Sequence, residues 1–149
     1  ICRSLGYNMK IALVRFLKGD QQTGEDLFLE NNPNVVSAHM ESGFTWNTQD
    51  RTADIDAAER TWAVAERMLS DPSFNLVLLD ELTYMIAYKY IDEERILDAL
   101  AKRPKEQSVV VTGRGGGAKL KELADTVSEV KDIKHAYNDG VKARKGVDY

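Results

Sequence analysis

The apolar residues of the chain first form short runs rich in branched side chains, the pattern of buried β-strands. "MKIALVRFL" at residues 9–17 is followed by "VVSAHM" at 35–40 and "LVLL" at 76–79. "SVVVT" at 108–112 continues the series, and a weaker run at 127–133 predicts a last strand. Each run is short enough to be one strand of a buried sheet.

Between these runs the apolar spacing changes to three and four residues, which places the side chains on one face of a helix. The longest such face starts after Thr52, its expected N-cap, and ends before the Asp71–Pro72 pair. Its members are Ile55, Ala58, Trp62, Ala65 and Leu69. A short helix or turn is predicted at 24–30. Further helices are predicted at 83–91, 92–102 and 119–125, and Asp92 is the expected cap of the helix at 92–102.

Continuous apolar strands that alternate with amphipathic helices predict the α/β class, with a mostly parallel sheet covered by helices on both faces. No repeat or low-complexity linker interrupts residues 1–149, so we expect a single domain. In such sheets ligands bind beyond the carboxyl ends of the strands. That edge would bring together residues 18–19, 39–43, 80–81 and 112–114.

Composition narrows the function classes. The 149 residues are 43% hydrophobic and 30% charged, as in an ordinary globular protein, and the net charge of −4 argues against a broad nucleic-acid surface. No apolar run approaches the roughly 20 residues that span a bilayer. The single cysteine, Cys2, cannot form an internal disulfide. We therefore expect a cytoplasmic protein that binds neither nucleic acid nor membrane.

Asp80 and Glu81 end the apolar run at 76–79. Two acids at the end of a buried strand can hold Mg²⁺ while the cation bridges phosphate oxygens. The alternative is that they only begin the next helix. The phosphate loop G-x-x-x-x-G-K-[ST], which usually accompanies such acids, does not occur in these 149 residues.

The "TGRGGG" segment follows the strand at 108–112 and precedes a helix. Its backbone amides could form an anion-binding nest, with Arg114 as a further phosphate donor. A plain glycine-rich turn explains the same letters.

"GFTWNTQDR" at residues 43–51 is the most unusual segment. Phe44 and Trp46 are two residues apart, so an extended chain places both rings on the same side. Polar neighbours make the segment poor core material. It predicts either ordinary packing or a loop against which a flat apolar ligand lies.

Taken together, these segments resemble the ATP:corrinoid adenosyltransferases of the CobA/BtuR kind. The matching stretches cover nearly the whole chain, in the family's order: "RSLGYNMKIALVRFLKG", "GFTWNTQDR", "LVLLDELTYMIAYKYI", "VVVTGRG" and "KHAYNDGVKARKGVDY". The chain departs from the family's usual residues at Arg15, Asn47 and Arg144. The resemblance implies a RecA-like P-loop NTPase fold whose first strand and phosphate loop precede Ile1, so that this chain is expected to be N-terminally shortened.

The resemblance also implies roles for individual residues at the nucleotide. Glu81 would help to hold Mg²⁺ on the triphosphate, with Asp80 beside it or bridging through water. Arg3 and Arg114 match arginines that contact the nucleotide.

At the corrinoid, Phe44 and Trp46 match aromatic residues that close over the lower face of the ring. Gly43 and Thr45 belong to the same corrinoid loop.

The activity that the resemblance implies is transfer of the 5′-deoxyadenosyl group of ATP to Co(I) of a corrinoid, with release of triphosphate, to make adenosylcobalamin. It further implies a reduced flavoprotein as electron donor and a homodimer. Two alternatives stay open: a module that binds corrinoid but not ATP, and an inactive fragment.

Overall fold

The structure, a computed structural model, describes residues 1–17, 22–40 and 51–148. Within these ranges strands and helices alternate. The strands are β1 Ile11–Arg15, β2 Val35–His39, β3 Leu76–Asp80 and β4 Ser108–Val111. The helices are α1 Cys2–Gly6, α2 Gly24–Glu30, α3 Arg51–Ser70, α4 Leu82–Ala87, α5 Glu93–Lys102 and α6 Ala118–Leu123, followed by a 3-10 turn at Ala136–Asp139.

The described strands form one parallel sheet in the order β2-β1-β3-β4. Ile11 pairs with Val35 on one side and with Leu76 on the other, and Leu76 pairs with Ser108. All carboxyl ends therefore meet at one edge, which confirms the predicted parallel α/β arrangement. A RecA-like P-loop fold stays a prediction.

Helices lie against both faces of the sheet. Val14 and Phe16 belong to a buried cluster with Trp62 of α3, and the Phe16 and Trp62 ring centroids are 6.3 Å apart. Arg15 points to the opposite face, because side chains alternate along a strand, and there it forms an ion pair with Asp26 of α2. The prediction of helices on both faces is confirmed.

Helix ends follow local capping rules in two of the predicted helices. Thr23 and Asp26 form a reciprocal capping box at the start of α2, and the Asp92 side chain caps α5 by accepting from the Glu94 N–H. The expected cap of α3 is wrong, because Thr52 lies inside that helix. The end of α3 is held from outside by buried Gln107, whose Nε2 donates to the carbonyls of Met68 and Asp71 at 3.2 and 3.0 Å.

The strand predicted at 127–133 is wrong. This segment is irregular, with Val130 97% and Ile133 89% exposed. Branched side chains favour a strand only where a neighbouring strand and a packed face receive them, and this segment has neither among the described residues. None of the described helices is both long enough and apolar enough to cross a membrane.

Candidate functional site

The predicted acid pair lies at the carboxyl edge of the sheet, between β3 and α4. Asp80 is the last residue of β3, and Glu81 links it to α4 with φ 60° and ψ 23°. A residue with a side chain rarely adopts this left-handed conformation, which costs of order 1 kcal/mol or more. Glu81 occupies a position where glycine would adopt the same conformation without strain. A role for its carboxylate would explain why a residue with a side chain stands there.

Thr112, directly after β4, holds the acid pair in place. Its hydroxyl donates to Asp80 Oδ1 at 2.7 Å and accepts from the Glu81 backbone N–H at 2.9 Å. One side chain thus orients the Asp80 carboxylate and fixes the turn at Glu81. The sequence pattern predicts Thr112 at this edge but gives it no role; the available clue is its position directly after the last apolar run.

Few protein groups offset the loss of solvation at the Glu81 carboxylate. Its Oε2 is buried and has no hydrogen-bond partner among the described residues. Burial raises the pKa of Glu81, the charge of Asp80 raises it further, and Arg114 opposes both. A buried acceptor without a donor beside a second carboxylate is suited to a cation that would replace the lost solvation.

The glycine-rich turn after β4 packs tightly on α4. A Cβ added to Gly113 would lie 2.1 Å from Thr83 Oγ1, and one added to Gly116 would lie 2.7 Å from the Thr83 carbonyl. Thr83 Oγ1 is itself buried without a partner among the described residues. Close packing therefore explains these two glycines without an anion nest, and the exposed Arg114 is left facing Glu81.

A second feature of the same edge lies over β1 and β2. Arg15 pairs with Asp26 at a cleft of about 170 Å³ whose lining also includes Gln22, Ser37 and His39. Burial acts to raise the pKa of Asp26, but the Thr23 backbone N–H and the Arg15 charge outweigh it and lower the pKa. Arg15, where the resembling family usually has Gln, is thus engaged by α2.

The structure brings together three of the predicted site residues, Asp80, Glu81 and Arg114. Arg3 lies in α1, which leads into the amino end of β1, and within the described ranges no hydrogen bond or ion pair joins it to that cluster. The four corrinoid residues lie outside the described residues: Gly43, Phe44, Thr45 and Trp46.

A cation at this edge would need ligands from outside the chain. In the described part of the chain, no group of three or more His, Cys, Asp or Glu side chains could hold a metal ion. Asp80 and Glu81 fit Mg²⁺, which characteristically takes one or two carboxylates and completes its shell with water and substrate phosphates.

Comparison with known proteins decides the family. The model of a family described as ATP:corrinoid adenosyltransferase BtuR/CobO/CobP matches residues 1–149. The chain belongs to this family. It is therefore a transferase enzyme, and the resemblance of its motifs to the CobA/BtuR kind is confirmed.

Curated members of the corrinoid adenosyltransferase family are similar over almost the entire chain. The corrinoid adenosyltransferase of Escherichia coli (strain K12) is 48% identical over 147 residues, which are 99% of this chain and 74% of that protein. The one from Pseudomonas aeruginosa is 47% identical over 150 residues, with 100% and 74% covered. The corrinoid adenosyltransferase CobA of Salmonella typhimurium is 46% identical over 147 residues, with 99% and 74% covered.

Proposed function

We propose that this protein transfers the 5′-deoxyadenosyl group of ATP to Co(I) of a corrinoid and releases triphosphate. The observation that carries the proposal is the Glu81 carboxylate beside Asp80, at the carboxyl edge of a parallel sheet: its Oε2 is buried without a hydrogen-bond partner among the described residues, and the charge of Arg114 acts on it. Family membership supplies the corrinoid as acceptor.

In the proposed reaction the nucleophile is the cobalt, not a side chain. The electron pair of Co(I) forms a bond to C5′ of ATP, the C5′–O bond breaks, and its electron pair leaves with the triphosphate. The protein then has to align cobalt, carbon and leaving oxygen and to stabilise the departing charge. This chemistry requires no general base, so Asp80 and Glu81 would serve as ligands of a cation and not as proton acceptors.

Glu81 and Asp80 are the residues that would hold Mg²⁺ on the triphosphate. When bound there, the cation would neutralise charge that develops on the leaving group. Thr112 keeps the Asp80 carboxylate in one orientation, and Arg114, exposed on the glycine-rich turn, is free to reach a phosphate oxygen. Arg3 is proposed as a second nucleotide contact on the family resemblance alone. Acids at the end of an inner strand, β3, also support the proposed P-loop NTPase class.

The corrinoid end of the site rests on the resemblance of residues 43–46. Phe44 and Trp46 would fill the lower axial position of the cobalt without a donor atom, with Gly43 and Thr45 shaping the loop. Loss of the axial ligand favours reduction of Co(II) to Co(I), by about 59 mV for each tenfold bias toward the reduced state. A reduced flavoprotein in the cytoplasm is the proposed electron source, and the proposed assembly is a homodimer.

The direct test measures products rather than loss of ATP. The complete translation product of the gene and the 149-residue chain are each incubated with Mg·ATP and chemically prepared cob(I)alamin. We expect adenosylcobalamin and triphosphate in equal amounts, dependence on Mg²⁺, and strong loss of activity in Glu81→Gln but not in Glu122→Gln, an exposed control on α6. Orthophosphate and ADP as products would contradict adenosyl transfer. Corrinoid binding without any transfer would favour the alternative of a binding module.

A further inference from the structure

The turn after α4 stacks tyrosine rings beside the start of α3. Lys89 adopts a left-handed φ of 57°, and the N–H of Tyr90 donates back to the Met85 carbonyl at 2.9 Å. This reversal places the Tyr88 ring between two others, with centroids 5.8 Å from Tyr84 and 5.7 Å from Tyr90. All three rings are half-buried, so the row is anchored on one side and accessible on the other.

Two charged residues from the first turn of α3 hold this turn. Arg51 Nη2 donates to the Tyr88 carbonyl at 3.1 Å, and its guanidinium carbon lies 5.5 Å from the centroid of the Tyr90 ring. Burial raises the pKa of Tyr90, and interaction of its hydroxyl with Asp54, which is only 6% exposed, raises it further. The Tyr90 ring is therefore held over its face by a cation and at its hydroxyl by a carboxylate.

These contacts are directional in a way that core packing is not. An N–H of Arg51 that donates to a carbonyl constrains both distance and angle, and the half-buried Tyr90 hydroxyl interacts with a carboxylate that is itself buried. Apolar side chains could have covered α4 equally well without that constraint. The set therefore fixes the start of α3 relative to the turn that follows α4.

α4 and the start of α3 each lie next in the chain to the residues proposed for a different substrate. α4 begins directly after Glu81, at the proposed Mg·ATP site, and is pressed against the glycine-rich turn at Gly113 and Gly116. Arg51 directly follows residue 50 in the chain, at the end of the segment whose Phe44 and Trp46 are expected at the corrinoid. Within the described residues, the turn after α4 thus connects the helix that follows Glu81 with Arg51, the residue that follows the predicted corrinoid segment in the chain.

We propose that Arg51, Asp54, Tyr88 and Tyr90 form a positioning clamp that aligns the corrinoid-binding segment with the nucleotide. The proposal rests on the proposed function and adds to it residues beyond the predicted nucleotide and corrinoid contacts. The clamp fixes Arg51, the first described residue after this segment, relative to the helix that follows Glu81. A displacement of about 1 Å between reacting groups can cost on the order of 100-fold in rate, so such an attachment bears directly on transfer.

The test compares three clamp variants with matched controls. Arg51→Ala removes the fork and the ring contact, Arg51→Lys keeps the charge only, and Tyr90→Phe removes only the hydroxyl that meets Asp54. Arg67→Ala, an exposed arginine of the same helix, and Tyr84→Phe, which keeps the stacked ring, serve as controls. For each protein we measure the cob(I)alamin Kd by absorbance titration, the Mg·ATP Kd, kcat, and the absorption spectrum of bound cob(II)alamin.

We expect Arg51→Ala to lower kcat/KM for the corrinoid by about 10-fold to 100-fold while the Mg·ATP Kd changes less than about twofold. Tyr90→Phe should cause a smaller loss of the same kind, and Arg51→Lys should recover part of the Arg51→Ala loss. The spectrum of bound cob(II)alamin should shift toward that of the free corrinoid in the clamp variants and not in the controls.

Two results would overturn the clamp. In the first, the clamp variants and the controls have the same cob(I)alamin Kd, the same kcat/KM and the same spectrum of bound cob(II)alamin. The other is an equal loss of Mg·ATP affinity that follows the loss of thermal stability, which marks a merely structural role. A failure of the proposed function alone would give a different result. The unmodified protein would bind corrinoid, the clamp variants would bind it more weakly, and no adenosylcobalamin would form. An unmodified protein that binds no corrinoid would overturn both.

Discussion

Thr112 and Asp80, 32 residues apart in the chain, are joined by a hydrogen bond of 2.7 Å between their side chains. Because the same hydroxyl accepts from the Glu81 N–H at 2.9 Å, a single threonine controls both the aim of one carboxylate and the backbone that carries the other. The end of β4 thereby holds the end of β3 at the point where the proposed cation would lie.

Replacing Thr112 by Val should therefore damage the site more than the fold. The Glu81 amide and the Asp80 carboxylate lose their partner, which destabilises the protein by about 1–2 kcal/mol. Free rotation of Asp80 should raise the KM for Mg·ATP with little change in corrinoid affinity. Thr112→Ser, which keeps the hydroxyl, is the matched control; equal kinetics in the Val and Ser variants would contradict the role of this bond.

Glu81→Gln should stabilise the ligand-free protein and abolish most of its Mg²⁺-dependent activity. Glu81 is half-buried, its Oε2 lacks a donor among the described residues, and Asp80 repels its charge, so removal of that charge should raise the free energy of unfolding by about 1 kcal/mol. Thermal unfolding with and without Mg·ATP measures both effects: the ligand should stabilise the unmodified protein and not the variant. Destabilisation by Glu81→Gln would mean that the carboxylate has a structural partner.

The pH dependence of stability should also report the raised pKa of Glu81. The folded-state pKa of Glu81 lies above its ordinary value of 4.5, because burial and Asp80 disfavour the charged form. Between those two pKa values the unfolded chain loses its proton first, so stability falls as the pH rises through that window. The pKa of Asp26 is lowered, so its contribution has the opposite sign. The difference in free energy of unfolding between Glu81→Gln and the unmodified protein isolates the contribution of Glu81. This difference should grow in favour of the variant as the pH rises above 4.5 and then level off.

Local pattern was sufficient to predict most of the fold but not the details of the site. Continuous apolar runs predicted the described strands and helical spacing predicted the main helices, because burial of the strands on both faces and of the helices on one face leaves these patterns. The run at 127–133 satisfied the same pattern and formed no strand, since pairing depends on neighbours that a local pattern does not contain.

At the site, the acids at the end of β3 were predictable from their position after an apolar run. The left-handed backbone of Glu81 was not, because glycine, and after it asparagine, is the usual choice there. The bond from Thr112 joins two strand ends that are distant in the chain, and the contacts of Arg51 with Tyr88 and Tyr90 span about as many residues. Such contacts follow from tertiary packing and leave no periodic trace.

The glycine-rich turn offers a matched pair of substitutions. Gly115 and Gly116 have nearly equal φ of 67° and 65°, but a Cβ on Gly115 would meet nothing within 4 Å, whereas one on Gly116 would lie 2.7 Å from the Thr83 carbonyl. Gly115→Ala should cost about 1 kcal/mol for the backbone alone, and Gly116→Ala about 1–3 kcal/mol more for the clash. Chemical denaturation of both variants gives the difference. Equal losses of stability in the two variants would show that α4 can move away from the turn at little cost.

The proposed lower-face role of Phe44 and Trp46 has a kinetic consequence that separates it from simple binding. If the two rings exclude an axial donor from the cobalt, they assist the reduction of Co(II) and contribute little once Co(I) has been made. Phe44→Ala and Trp46→Ala should then depress adenosylation of cob(II)alamin, supplied with a reductant, by about 10-fold or more beyond any loss with chemically prereduced cob(I)alamin. Each tenfold loss of bias corresponds to a fall of about 59 mV in the potential of the bound corrinoid, which a redox titration would record. Phe44→Leu and Trp46→Phe keep an apolar side chain without a donor atom and should retain most of the effect. Equal losses with both cobalt states would assign the two residues to corrinoid binding and remove the reductive role.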